Sequence, residues 1–273
     1  MKRKIVISIL LILSVFSTTS MAFGTVKIGF DGISNYKYCQ YNNIGGSQFV
    51  DQLYAYIRGS SVIKNQFINQ ESRAKEADIS GGKANTANFF VYVGHGLRDN
   101  QKNAAHFYAR KNHPNHTTKD EKAGDVNATT NEARFGHGTL KWVAMYTCNW
   151  LNYKGDKNKQ SNVWNQLEGA RMVMGFGTTM YVDSREGKLL GTNLYKKKMS
   201  FKDAFISGAK KYQPQKSAKA GNTICRIVAY SSAKNDKLTS NVSCLSSGNW
   251  YKNNKSKYGH LANFTITVSG KKI

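Results

Sequence analysis

Four short apolar runs punctuate the chain, Val26 to Phe30, Phe89 to Val93, Trp142 to Tyr146 and Met172 to Phe176, and a fifth, Ile224 to Tyr230, follows them. Each is rich in β-branched or aromatic residues and closed by a turn residue, so each predicts a strand. The runs are continuous rather than alternating, the pattern of strands covered on both faces of a parallel sheet. Between them the apolar positions fall at helical spacing. Phe49, Leu53, Tyr56 and Ile57 share one face of a predicted helix over Ser47 to Ile57, with Ser47 as its N-cap. Val163 to Leu167 belongs to a second short helix, a third is expected over Leu189 to Lys198, and Phe201, Ala204, Phe205 and Ala209 mark a fourth over Ser200 to Tyr212. Strands alternating with helices predict an α/β domain with a mainly parallel central sheet flanked by helices.

Three segments depart from this alternation. Residues 97–138 are polar, Lys- and Asn-rich and nearly free of apolar runs, so they read as a long polar loop insertion. Near the end, Phe264 to Val268 alternates, as an edge strand or hairpin partner does. At the start, Lys2, Arg3 and Lys4 precede the apolar run Ile5 to Phe16 and the small residues around Ala22. That order predicts a signal peptide over residues 1–22, with a single domain over 23–273 that is secreted or associated with the cell surface. No later stretch approaches about 18 consecutive apolar residues, so no transmembrane segment is expected after signal removal.

The chain has only two prolines and no Gly/Ser-rich linker, which agrees with one domain. Its formal charge is +24, and +21 without Lys2, Arg3 and Lys4. Such an excess bears on partners and not on fold, and it suits an anionic cell-surface polymer or another acidic surface. The lysines are scattered apart from Lys196-Lys197-Lys198, and no aromatic-interleaved signature appears, so no specific nucleic-acid partner is expected. Four cysteines, Cys39, Cys148, Cys225 and Cys244, are too few for a disulfide scaffold in a chain this long. If Cys148 stays a free thiol, Cys225 with Cys244 is the pair favoured by sequence proximity.

The sharpest feature is a pair of strand ends. Phe89 to Val93 runs into Gly94-His95-Gly96, and Trp142 to Thr147 runs into Cys148-Asn149-Trp150. Ligand sites in open α/β sheets lie beyond the carboxyl ends of the strands, so neighbouring parallel strands would bring His95 and Cys148 to one edge. A cysteine nucleophile needs such an imidazole, which favours the thiolate and returns a proton to the leaving amine. Glycines around His95 let a carbonyl approach the backbone, where the Gly96 N–H is a candidate oxyanion donor. A second tripeptide, Gly136-His137-Gly138, competes for the role of base, but His137 precedes a strand and follows the polar loop.

The order His then Cys, 53 residues apart, with His-Gly after one apolar strand and Cys after another, resembles the caspase-like cysteine peptidases, which include caspases, legumains, clostripain and gingipains. The resemblance covers Phe89 to Tyr181, and strand and helix order extends it to Tyr230; within that fold the pattern also resembles an uncharacterised bacterial group, which implies no activity of its own. It implies a caspase-like sandwich and a Cys148/His95 dyad acting on a peptide or protein substrate. It also implies an oxyanion hole from the backbone of Gly96 and Cys148, with Gly177 and Thr178 at the outer end of the next strand lining the substrate pocket. Asp183 is the one carboxylate placed to meet a basic substrate side chain. Thr147 stands where those peptidases carry Ala or Ser, and the bulky Trp150 follows the cysteine closely. The competing expectation is a non-catalytic protein of the same fold that binds anionic surfaces. No P-loop or dinucleotide fingerprint occurs, so no cofactor is expected, and His106, His113 and His116 read as solvated loop histidines rather than a metal site.

Overall fold

A computed structural model describes residues 24–36, 44–98, 103–107, 127–153, 163–214, 222–245 and 261–267. The expected signal peptide, Cys39, His113, His116 and most of the polar loop lie outside these residues. Ten strands are described: β1 (Val26–Gly32), β2 (Ile63–Gln70), β3 (Phe89–Val93), β4 (Gly96–Arg98), β5 (Asn103–His106), β6 (Asn127–Thr129), β7 (Trp142–Tyr146), β8 (Met172–Phe176), β9 (Ile224–Tyr230) and β10 (Leu261–Thr267). Three longer helices accompany them: α1 (Gly46–Ile57), α2 (Ser184–Gly191) and α3 (Phe201–Tyr212). Among the described residues no helix is long and apolar enough to cross a membrane.

Seven strands form one sheet in the order β10-β9-β8-β7-β3-β1-β2. The pairs β2–β1, β1–β3, β3–β7 and β7–β8 are parallel, while β9 is antiparallel to both β8 and β10. The fold is therefore mixed α/β with a mostly parallel central sheet. Every residue of β3, β7 and β8 is buried, which is why these strands read as unbroken apolar runs. The chain steps from β1 outward to β2, then returns past β1 to β3 and proceeds to β7 and β8. This reversal between β1 and β3 is the switch point at which such sheets open a crevice beyond their carboxyl ends.

The helices cover one face of the sheet. Phe49 of α1 packs on Tyr146 with ring centroids 4.3 Å apart, and Phe205 of α3 meets both Tyr146 and Phe176. Phe201, at the head of α3, stacks on Trp142 at 4.5 Å. On the other face Phe67 fills the space above Gly29, Phe107 packs on Tyr92, and Leu151 lies over Gly175. At the amino edge, Asp236 accepts bonds from Trp142 Nε1 (2.9 Å) and Arg171 Nε (2.6 Å), so β7, β8 and the segment after β9 are tied together by one buried carboxylate.

Several local expectations are corrected. The cap of α1 is Gly45, in the left-handed region at φ 80°, not Ser47. Ser47 lies inside the helix, where its hydroxyl donates to Glu71 Oε1 and lies 3.0 Å from Gly32 O. The helix expected over Leu189 to Lys198 starts at Ser184, capped by Asp183, and its last turn, Thr192–Lys196, is a π-helical turn. Within 97–138 the chain is not wholly a loop, because β4, β5 and β6 form a small antiparallel sheet. Strand β2 is an addition: it lies at the sheet edge with most of its residues partly or fully exposed, and so gave no apolar run.

Candidate functional site at the carboxyl edge of the sheet

Strands β3 and β7 are parallel neighbours in a register that pairs Val93 with Tyr146. Each chain continues by two residues, to His95 and to Cys148, and the Gly94 N–H still donates to Tyr146 O at 3.1 Å. The two sequence-predicted residues therefore leave the same sheet edge side by side. Gly96 lies against the turn that holds the cysteine: a Cβ there would run into the Cys148 carbonyl and sit 2.7 Å from the Cys148 nitrogen. Only glycine permits that approach. Asn149 takes a left-handed conformation at φ 60°, which asparagine tolerates better than most residues, and so turns the chain sharply after the cysteine. The turn is fastened to the end of β8, with Asn149 N–H donating to Thr178 O (3.0 Å) and Leu151 N–H to Phe176 O (2.9 Å). The Cys148 N–H, one of the two predicted oxyanion donors, has no acceptor among the described residues.

His95 is held by its backbone and by rings. Its N–H donates to the Tyr36 hydroxyl at 2.7 Å, and its carbonyl accepts from His106 N–H (2.9 Å) and from the Tyr92 hydroxyl (3.3 Å). The Tyr36 ring stands between two imidazoles, with centroids 4.7 Å from His95 and 5.2 Å from His106. Both tyrosine hydroxyls reach the His106 carbonyl. Burial pushes the Tyr92 phenol well above its ordinary range, so it stays neutral and donates. His106 is thus not a solvated loop histidine: it is buried, stacked on Tyr36, and its Nδ1 bonds Asn127 Oδ1 at 2.7 Å. Tyr36, Tyr92 and His106 had no sequence signal as a group, because they come from three segments that only the fold brings together.

The Cys148 thiol is covered. Its Sγ–H donates to Met180 O at 3.5 Å and its sulfur accepts the Met180 N–H at 3.4 Å, so one backbone unit caps it from both sides. Burial pushes the thiol pKa up, and the bond to Met180 offsets only part of that. In this conformation Cys148 is a neutral thiol.

The predicted pocket residues lie along the segment that supplies this cap. Gly177 packs against Arg226, and a Cβ there would sit 2.9 Å from a guanidinium nitrogen. Arg226 is only 5% exposed and donates to Leu151 O at 2.7 Å, stacks over Tyr153, and forms no ion pair with a described carboxylate. Thr178 Oγ1 accepts the Ile224 N–H at 2.8 Å and donates to Asn222 O at 3.2 Å, which holds the segment to the start of β9. Asp183 caps α2 by accepting the Arg185 N–H at 2.9 Å and pairs with the Arg185 guanidinium, which holds its carboxyl below the usual range. Gly177 and Thr178 thus adjoin the cysteine turn, while the Asp183 carboxylate is engaged by its own helix.

His137 sits at the other end of the sheet, before β7, half-exposed and paired with Glu168 beside Arg134. The expected pairing of Cys225 with Cys244 does not occur. Cys225 faces Phe176 at the carboxyl end of β8, whereas Cys244 bonds Leu140 O at the amino end of β7, and both are free thiols.

The profile of the family described as Domain of unknown function (DUF6345) matches residues 30–254, a span that runs from the carboxyl end of β1 through β9 and includes the carboxyl-edge site. No curated protein matches the chain.

Proposed function

The chain belongs to the DUF6345 family, and from that premise we propose that it is an exported cysteine peptidase of caspase-like fold whose nucleophile is Cys148 and whose acid and base is His95. The observation that carries this reading is the paired exit of His95 and Cys148 from adjacent parallel strands, with Gly96 pressed against the cysteine backbone. In the reaction the Cys148 thiol gives its proton to His95 as sulfur bonds to the substrate carbonyl carbon. The carbonyl oxygen becomes an oxyanion near the Gly96 and Cys148 N–H groups. The C–N bond then breaks as His95 protonates the leaving amine, and water, deprotonated by His95, hydrolyses the thioester to regenerate the thiol. Gly177 and Thr178 border the substrate side chain.

The capped neutral thiol makes the conformation described here a resting one, in which the Met180 segment must move before a substrate carbonyl can reach sulfur. The same observation favours a second reading, a non-catalytic protein that uses its positive charge, +21 without Lys2, Arg3 and Lys4, to bind anionic surfaces. The two are separated by the rate of iodoacetamide labelling of Cys148 against pH, read by peptide mass spectrometry, in wild type and His95→Ala. The peptidase reading expects labelling to persist below neutral pH and to drop at least about tenfold in the variant. Labelling that is indifferent to His95 would sink it and leave the salt-dependent binding of an anionic polymer as the property to measure.

A further inference from the structure

The strap over Cys148 is held by a residue outside the site described so far. Gln213, at the carboxyl end of α3, is 1% exposed and uses its whole amide. Its Oε1 accepts the Tyr181 N–H at 2.9 Å, and its Nε2 donates both to Tyr181 O at 2.7 Å and to Glu186 Oε2 at 2.6 Å. The amide thus pairs with Tyr181 as a neighbouring strand would, and the residue before Tyr181 is Met180, whose N–H and C=O both engage the thiol. The strap carries no regular secondary structure from Gly177 to Asp183, and Tyr181 is 43% exposed, so its side chain packs too little to hold it down. Between Thr179, which accepts from the Thr223 hydroxyl at 3.3 Å, and the Asp183 cap, Gln213 is the described residue outside the cysteine that fastens it by hydrogen bonds.

We infer that Gln213, set by the buried carboxyl of Glu186, is a latch that keeps the Met180 strap closed over the Cys148 thiol, so that access to the nucleophile is governed from the helix layer. The inference rests on Cys148 being the nucleophile. Glu186 is fully buried on α2, with Gly208 of α3 and, at the adjoining Gly187, Phe49 of α1 packed on it. The titratable groups acting on it are Asp183 at the head of its own helix, Tyr146 on β7 and Cys225 on β9. None of these is a cation, and its Oε1 has no hydrogen-bond partner. Burial, the largest influence, pushes its pKa up to about 8, so the latch is set with a neutral carboxyl; above that pH it meets a buried charge with no cation, which the Gln213 bond offsets only in part.

The test is the Cys148 alkylation rate in Gln213→Leu, which keeps the volume and removes all three bonds, and in Glu186→Gln, which keeps an acceptor for Gln213 and cannot ionise. Gln213→Leu is expected to label about tenfold faster or more at pH 7. Glu186→Gln should match wild type at pH 7 and fall behind it above about pH 8, where ionisation loosens the wild-type latch. Equal rates for Gln213→Leu and wild type would overturn the latch, even where His95→Ala slows labelling and the dyad stands. Faster labelling in Gln213→Leu with no effect of His95→Ala would keep the strap and remove the dyad. Should Gln213→Leu not fold, the Glu186→Gln profile decides alone: a curve superimposable on wild type at every pH refutes the proposal.

Discussion

Gly94-His95-Gly96 follows β3 at the carboxyl edge of the sheet, whereas Gly136-His137-Gly138 precedes β7 at the amino edge, and the same tripeptide has two fates. At the carboxyl edge His95 packs on the buried Tyr36 ring and leaves the sheet beside the strand that ends in Cys148. At the amino edge His137 stands half in solvent against Glu168, while the Gly136 backbone, at φ 107°, packs on Gly169 and Ala170. The buried carboxylates differ in the same way. Asp236 at the amino edge is paired with Arg171 and bonded by Trp142, whereas Glu186 at the carboxyl edge has an amide and no cation. One end of the sheet is built as a clasp, and the other keeps groups whose needs are met only in part, as sites do.

The contrast can be broken most severely at the clasp. Asp236→Ala leaves the Arg171 charge buried and unpaired and is expected to cost about 3–5 kcal/mol in urea unfolding; a loss under about 1 kcal/mol would mean that the two ends do not differ in this way. Glu186→Gln should act with the opposite sign. Because the folded pKa of Glu186 is raised from 4.5 to about 8, the folded state holds a proton that the unfolded state has released across that window. Wild-type stability therefore falls as pH rises from about 4.5 to about 8 and then levels. The glutamine variant lacks that fall and should exceed wild type at pH 9 by a few kcal/mol at most. Parallel stability curves would show that Glu186 ionises without penalty. The smallest effect belongs to His137→Ala, which gives up an exposed pair for about 0–1 kcal/mol and should leave Cys148 labelling unchanged.

Much of the frame was legible because burial on both faces writes itself as unbroken apolar runs. Residues of β3, β7, β8 and β9 read directly for this reason, and α3 read through Phe201, Ala204, Phe205 and Ala209. Strand β2 did not read, since an edge strand with an exposed face carries Lys64, Asn65 and Gln66 where a central one carries Val or Ile. In the site, His95 and Cys148 were visible as residues that end strands. The cap on the thiol was not, because Met180 acts through its backbone, which has no sequence signature. Gln213 was hidden for a related reason. Its partner is the peptide unit of Tyr181, 32 residues earlier, and a lone glutamine after a helix announces nothing.

The separation of Cys225 from Cys244 at opposite ends of the sheet bears on how the chain reaches its native state. A mostly parallel sheet assembles through distant pairings, as the Trp142–Asp236 bond shows by closing 94 residues, and such topologies fold slowly. Two thiols about 20 residues apart meet in an unfolded chain on a far shorter timescale. An oxidising environment therefore sets a race between a local crosslink that the native fold forbids and the sheet that pulls its two sulfurs apart.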